Sequence, residues 1–170
     1  MTHGASLLAA TAPTDATRSP SDSLRFFKER LKSGKEALYQ HYDQGVPVTR
    51  LVQDLSELID AVLRDLWNLH LGDSPGAALV AVGGYGRREL HPASDIDILI
   101  LIESEPEACL IESIERLLTL LWDIGLEVGH SVRTLDDCVR EARADVTVMT
   151  NLLEARWLSG SEPLFRRMGE

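Results

Sequence analysis

Cysteine is almost missing from this chain. Its 170 residues hold two, Cys109 and Cys138, and neither stands in a Cys-x-x-Cys pair or beside a histidine at metal-ligand spacing. Both therefore read as reduced, buried apolar residues. Positive charge is short as well: 17 Lys and Arg face 27 Asp and Glu, a net charge of −10. That balance excludes a bulk electrostatic grip on nucleic acid, though it leaves room for a local basic pocket. No apolar run approaches the roughly 18 residues of a membrane span. The short apolar patch at residues 6–10 has no Lys or Arg before it, so it lacks the form of a signal peptide. The expectation is a cytoplasmic protein with neither membrane nor nucleic acid among its partners.

What is present suits a globular domain. Apolar residues make up 44% and charged residues 26%, enough to enclose a core at this length. Residues 1–20, rich in Ala, Thr, Ser and Pro, read as a disordered tail. Residues 21–71 read as an N-terminal helical hairpin. Leu24, Phe27, Leu31 and Leu38 mark its first helix, which Gly34 weakens, and Leu51, Leu55, Leu58, Val62, Leu66 and Leu69 mark the second. Asp54, Glu57, Asp60 and Arg64 fall mostly off that second stripe. Past Gly72 the pattern changes. Residues 77–82 and 96–102 are short Val- and Ile-rich runs bounded by turn residues, which predicts buried strands. A helix with an apolar face follows, closed by Gly125, then a third strand over 126–133 and helices over 135–143 and 146–157. The order predicts an α+β domain, a small mixed sheet with flanking helices. Trp67, Trp122 and Trp157 read as core.

The chemistry concentrates between Val82 and Leu101. Asp95 and Asp97 stand two apart at the head of an apolar strand, which puts both carboxylates on one face with Cα atoms roughly 6.5 to 7 Å apart. Such a pair repels itself, and a divalent cation between the two offsets the repulsion. Mg²⁺ suits one or two carboxylates plus substrate phosphates. Taken alone, the pair also fits a turn cap followed by a solvated strand residue. Gly83, Gly84 and Gly86 alter that balance, because a strand ending in glycines lets backbone N–H groups approach an anion. Glu89 stands where a dinucleotide fingerprint needs its third Gly, and no Walker-type Gly-Lys-Ser/Thr occurs. Arg87 and Arg88 are either phosphate ligands or solvated loop residues.

Val82-Gly83-Gly84, ten residues, then Asp95-Ile96-Asp97-Ile98 resembles the signature of the DNA polymerase β-like nucleotidyltransferase superfamily. More narrowly, Gly83 to Arg87, Glu89-Leu90, Pro92 and Ser94 to Asp97 resemble the bifunctional PII uridylyltransferase/uridylyl-removing family. Residues 121–134, and Asn151 to Arg156 with Gly160, are similar to it too. The resemblance covers roughly residues 24–165. It implies transfer of UMP from UTP to a tyrosine of the PII signalling protein, with Mg²⁺ as cofactor and pyrophosphate released. It also implies a nucleotidyltransferase core over 72–170, a truncated piece of a longer and multifunctional enzyme. Alone, this piece is expected to be weakly active. Uridylyl removal belongs in that family to a His-Asp domain, and no adjacent His-Asp pair occurs here.

The resemblance assigns Asp95 and Asp97 to the metal and to catalysis, and Gly83, Gly84, Gly86, Arg87 and Ser94 to the nucleotide. The superfamily takes a third carboxylate from a neighbouring strand. Glu127, between Leu126 and Val128, fits that role and equally fits a solvated strand residue. Asp145 reads as a helix cap, and His130 as a structural histidine or a phosphate-orienting one. The alternatives are an adenylyltransferase of the glutamine synthetase type and a non-catalytic nucleotide-sensing module.

Overall fold

The computed structural model describes residues 20–72 and 74–169, so all but the last residue of the expected tail lies outside it. Helix α1 (Pro20–Asp43) and helix α2 (Val48–His70) form the N-terminal pair. Gly34 does not interrupt α1. It packs closely on α2, where a Cβ would stand 2.5 Å from Leu58 Cδ2. Helix α2 buries Leu55, Ile59, Val62, Leu63, Leu66 and Trp67. Two polar residues, Ser56 and Asp60, are buried with them, against the sequence expectation that Asp60 faces water. Leu69, on the expected stripe, is exposed at the end of the helix.

Strands β1 (Ala77–Ala81), β2 (Ile96–Ile102), β3 (Val128–Thr134) and β4 (Arg156–Gly160) make one mixed sheet in the order β3-β2-β1-β4. β1 runs antiparallel to both β2 and β4. β2 and β3 are parallel and joined through helix α4 (Ala108–Asp123). Helices cover both faces, which explains why β1 and β2 are near-continuous apolar runs rather than alternating ones. On one face α1, α2 and α4 pack on Leu79, Ile98, Ile100 and Ile102. The helical pair and the sheet thus share one core. On the other face Val80, Leu99 and Leu101 meet Cys138 of helix α5 (Leu135–Ala144) and Leu164 of helix α7 (Glu162–Met168).

The largest departure from the sequence expectation lies between those two helices. Helix α6 (Val146–Leu153) starts as expected, with the Asp145 side chain accepting from Thr147 N at 2.7 Å. It stops early, and residues 156–160 turn into β4 instead of carrying the helix on to residue 157. The short apolar run at Trp157-Leu158 fits either period, and its pairing with β1 decides the matter. Trp67 is enclosed and Trp157 half-buried, but Trp122 is about half exposed, edge-on to His130 with ring centroids 5.7 Å apart. Of the cysteines, Cys138 is buried and Cys109 is not. Among the described residues no helix is long and apolar enough to cross a membrane.

Candidate active site

Where β1 ends, Val82 is still extended and Gly83 takes φ +59°, a left-handed conformation that glycine adopts without steric cost. The chain then makes one helical turn, α3 (Gly83–Gly86). A Cβ on Gly83 would stand 3.4 Å from Asn151 Oδ1 and 3.7 Å from Asp97 Oδ2. Gly86 is where two backbones cross: a Cβ there would fall 2.1 Å from the Glu154 carbonyl oxygen. The Gly-Gly turn and the carboxylates are therefore immediate neighbours.

Asp95 directly precedes β2 and Asp97 is its second residue, the one exposed position in an otherwise buried strand. Burial first, and the charge of Asp95 second, push the Asp97 carboxyl above its usual pKa. An open pocket of 380 Å³ has Gly84, Ser94, Asp95 and Asp97 in its wall, together with Glu89 and Leu90. Arg87 lies at its edge, with Nη2 3.7 Å from where a Cβ of Gly84 would be. Its guanidinium is already engaged, by Glu89 at 2.8 Å and Glu154 at 2.5 Å. Arg88 takes φ +61° and lies 4.0 Å from Glu57, away from the pocket.

Glu127 does not join the pair. It is an exposed residue just before β3, engaged through its carbonyl, which accepts from Ile96 N at 2.9 Å. The residue of β3 in register with Asp97 is Gly129. Gly129 therefore sets no side chain of β3 beside Asp97. Among the described residues, no three His, Cys, Asp or Glu side chains form a metal-binding group. His130 pairs in register with Ile98, so it faces the opposite side of the sheet and packs on Trp122.

Sequence reasoning missed three residues on one short segment and two more beneath the turn. Asn151 meets Gly83, Glu154 holds Arg87, and Arg156 reaches under α3. All three lie in the stretch whose likeness to the uridylyltransferase family was noted, so a signal existed, but a continuous helix there would have dispersed them. Asp60 and Tyr85 are the other two, and Tyr85 Oη donates to Asp60 Oδ1 at 2.7 Å with both side chains buried. Desolvation, and then Asp60, push the Tyr85 phenol well above its usual pKa.

A one-turn glycine helix set against a carboxylate pair at the head of a strand, on a small mixed sheet, is the architecture of a nucleotidyltransferase domain. Residues 56–148 match the model of that family, the nucleotidyltransferase domain, and the chain belongs to it. Domains of this family generally use a divalent metal. Its curated relatives narrow the comparison. The chain is 51% identical over 143 residues to the bifunctional uridylyltransferase/uridylyl-removing enzyme of Pseudomonas entomophila (strain L48), covering 84% of this chain. It is 50% identical over 145 residues to the enzyme of the same name from Pseudomonas putida (strain W619), and 48% identical to that of Pseudomonas syringae pv. tomato (strain ATCC BAA-871 / DC3000). The chain spans 16% of the length of each of these relatives.

Proposed function

We propose that this chain is the nucleotidyl-transfer part of a longer cytoplasmic enzyme that moves UMP from UTP to a tyrosine of a PII-type signalling protein. The helical pair at 21–71 and the core at 72–170 act as one unit. The observation that carries this reading is the pocket in which Gly84, Ser94, Asp95 and Asp97 meet. The uridylyltransferase relatives supply the choice of base, since no residue in the pocket can be assigned to the uracil edge.

The residues fit a divalent cation of the Mg²⁺ type. Asp95 and Asp97 are hard oxygen donors two residues apart at the head of β2, and the burial and Asp95 charge that raise the Asp97 pKa are both offset by a cation. When bound, Mg²⁺ supplies positive charge that polarises the α-phosphate and stabilises the departing pyrophosphate. The chain's own residues do the rest. Gly83 and Gly84 present backbone to the phosphates with no side chain in the way. Arg87 exchanges its carboxylate partners for phosphate oxygens, which limits its net contribution, because one charge-assisted bond replaces another. The acceptor tyrosine oxygen bonds to the α-phosphorus and gives up its proton, and the bond from that phosphorus to the β-phosphate bridging oxygen breaks.

The test is pyrophosphate release from UTP, ATP, CTP and GTP by the chain, with Mg²⁺ and a PII protein. Slow release confined to UTP is expected. Release confined to ATP would favour an adenylyltransferase of the glutamine synthetase type. Nucleotide binding without release would favour a sensing module, and folded protein that binds none of the four would sink the reading.

A further inference from the structure

Helix α3 cannot hold its own shape. It has four residues, three of them glycine, and glycine is about 1 kcal/mol worse than alanine in a helix. One turn alone is also far below the length at which helices persist. Something outside the turn has to impose the conformation that sets Gly83 and Gly84 against Asp97.

That support comes from Arg156, the first residue of β4, and Asp60, in the middle of α2. Arg156 Nη1 donates to Asp60 Oδ2 at 2.6 Å and Nη2 to Asp60 Oδ1 at 3.0 Å, a two-pronged pair with Asp60 almost fully enclosed. The same guanidinium donates from Nε to the Gly86 carbonyl at 3.1 Å and from Nη2 to the Tyr85 carbonyl at 3.2 Å. Those carbonyls belong to the last two residues of α3, the end at which a cation is favoured. The guanidinium also lies over the Tyr85 ring, 5.4 Å from its centroid, while the Tyr85 hydroxyl returns to Asp60. The network closes on itself: Asp60 to Arg156, Arg156 to the backbone of α3, and Tyr85 back to Asp60.

A buried ion pair is a poor stabiliser, since apolar replacements of similar volume are often neutral. Its planar fork does what an apolar contact cannot, which is to fix two carbonyl directions at once. We propose that Asp60 and Arg156 are positioning residues for nucleotide binding, holding the glycine turn in the form that receives the triphosphate. The assignment rests on the nucleotidyl-transfer reading above.

Two variants of the 170-residue chain test it. Asp60→Leu with Arg156→Met removes both charges of the buried pair together; Arg64, which also reaches Asp60 Oδ2 at 3.6 Å, is partly exposed and turns to water. Arg156→Lys keeps the charge opposite Asp60 but cannot span the carboxylate and both carbonyls. Three quantities are measured: the thermal midpoint, amide hydrogen exchange at Gly86, Arg87 and Glu89, and the Kd for Mg–UTP. Those three amides bond inside the turn, to Val82 O, Gly83 O and Gly84 O. The expected result is a midpoint near that of the wild type for Arg156→Lys and a lower one for the double variant, where the buried Tyr85 hydroxyl loses its acceptor. In both, exchange is faster at those amides and unchanged at Leu99, and Mg–UTP binds about 10- to 100-fold more weakly, the usual loss when a partner that orients a site is removed. Wild-type exchange and affinity in either folded variant would overturn the proposal. If the double variant does not fold, Arg156→Lys alone decides. Failure of the wild type to bind Mg–UTP would count against the nucleotidyl-transfer reading instead, and the exchange rates would still report whether the two residues hold the turn.

Discussion

The carboxylate of Asp97 leans over Gly129, its register partner across β2 and β3, and its Oδ1 lies 2.5 Å from the point where a Cβ on Gly129 would stand. The obstructed atom is the free end of a rotatable side chain, so the strand pairing can survive a methyl group there while the carboxylate has to turn away. Gly129→Ala should keep its thermal midpoint within about 2 °C of the wild type, as for a small surface change. It should lose at least about tenfold in Mg–UTP affinity, as expected when a carboxylate proposed to hold the cation is turned from its place. Titration calorimetry beside a thermal melt checks both, and unchanged affinity would show that the observed Asp97 rotamer is not the one that binds.

Asp95→Asn and Asp97→Asn each remove one charge from a repelling pair. The sign follows from the raised pKa of Asp97 in the fold. The native state there holds its proton to higher pH than the unfolded chain does, so stability falls as pH rises through that range and the ionised group is a burden at neutral pH. Each variant should abolish transfer and melt no lower than the wild type, or slightly higher. Mg–UTP should raise the wild-type midpoint by mass action and leave both variants where they were. A clear drop in the midpoint of the apo variant would instead mark Asp95 as a structural cap.

Arg87 and Arg88 should separate cleanly. Arg87→Ala should weaken triphosphate binding, and because Glu89 and Glu154 already occupy the guanidinium the loss should sit near the low end of a charge-assisted contact, about 1.5 kcal/mol or tenfold. Arg88 sits at φ +61°, so Arg88→Gly should leave binding alone and raise stability by a few tenths to about 1 kcal/mol. Parallel urea titrations and nucleotide titrations measure the two effects.

Gly86→Ala should be among the more damaging small substitutions in the chain. Its methyl group would meet the Glu154 carbonyl at 2.1 Å and the Ala81 carbonyl at 3.2 Å, and backbone atoms on both sides leave no side chain to swing away. A loss of about 3 kcal/mol, the upper range for overpacking, is expected in chemical denaturation. Wild-type stability would mean that the crossing of α3 and residue 154 is looser than it stands.

Helix α5 supplies a pH test remote from the site. Thr134 caps it, accepting from Asp137 N at 3.1 Å, while the Asp137 carboxylate takes bonds from Thr134 N at 3.1 Å and Thr134 Oγ1 at 2.8 Å. Those bonds, the backbone one first, hold the Asp137 pKa down to about 2 from 3.8. A carboxylate depressed in the fold contributes stability that is complete above its unfolded pKa and is lost as pH falls from near 3.8 through about 2. Asp137→Asn should lower the melting temperature at pH 7 and flatten its fall over that acid window. An unchanged slope would show that other carboxylates dominate acid unfolding.

The sequence by itself determined what local pattern can determine. Residues 96–102 are apolar throughout apart from Asp97, and their short length, Ile-rich composition and bounding turn residues point to a strand covered on both faces. The glycines at 83, 84 and 86 and the carboxylates at 95 and 97 were legible because each is anomalous where it stands, a flexible turn after one strand and a charge inside another. The apolar run at Trp157-Leu158 could not say how far α6 extends, since short apolar segments fit helix and strand alike. Only pairing with β1 turns Arg156 into the head of β4, and only there can its guanidinium reach Asp60, 96 residues away. The burial of Asp60 was equally invisible, because a helix stripe records which residues avoid water and not which polar ones have found a partner inside. Glu127 fitted the acidic pattern, but the start of β3 at Val128 and its register with β2 put Gly129 opposite Asp97. Register between strands distant in sequence is fixed by packing on both faces of the sheet, and that information resides in the tertiary structure alone.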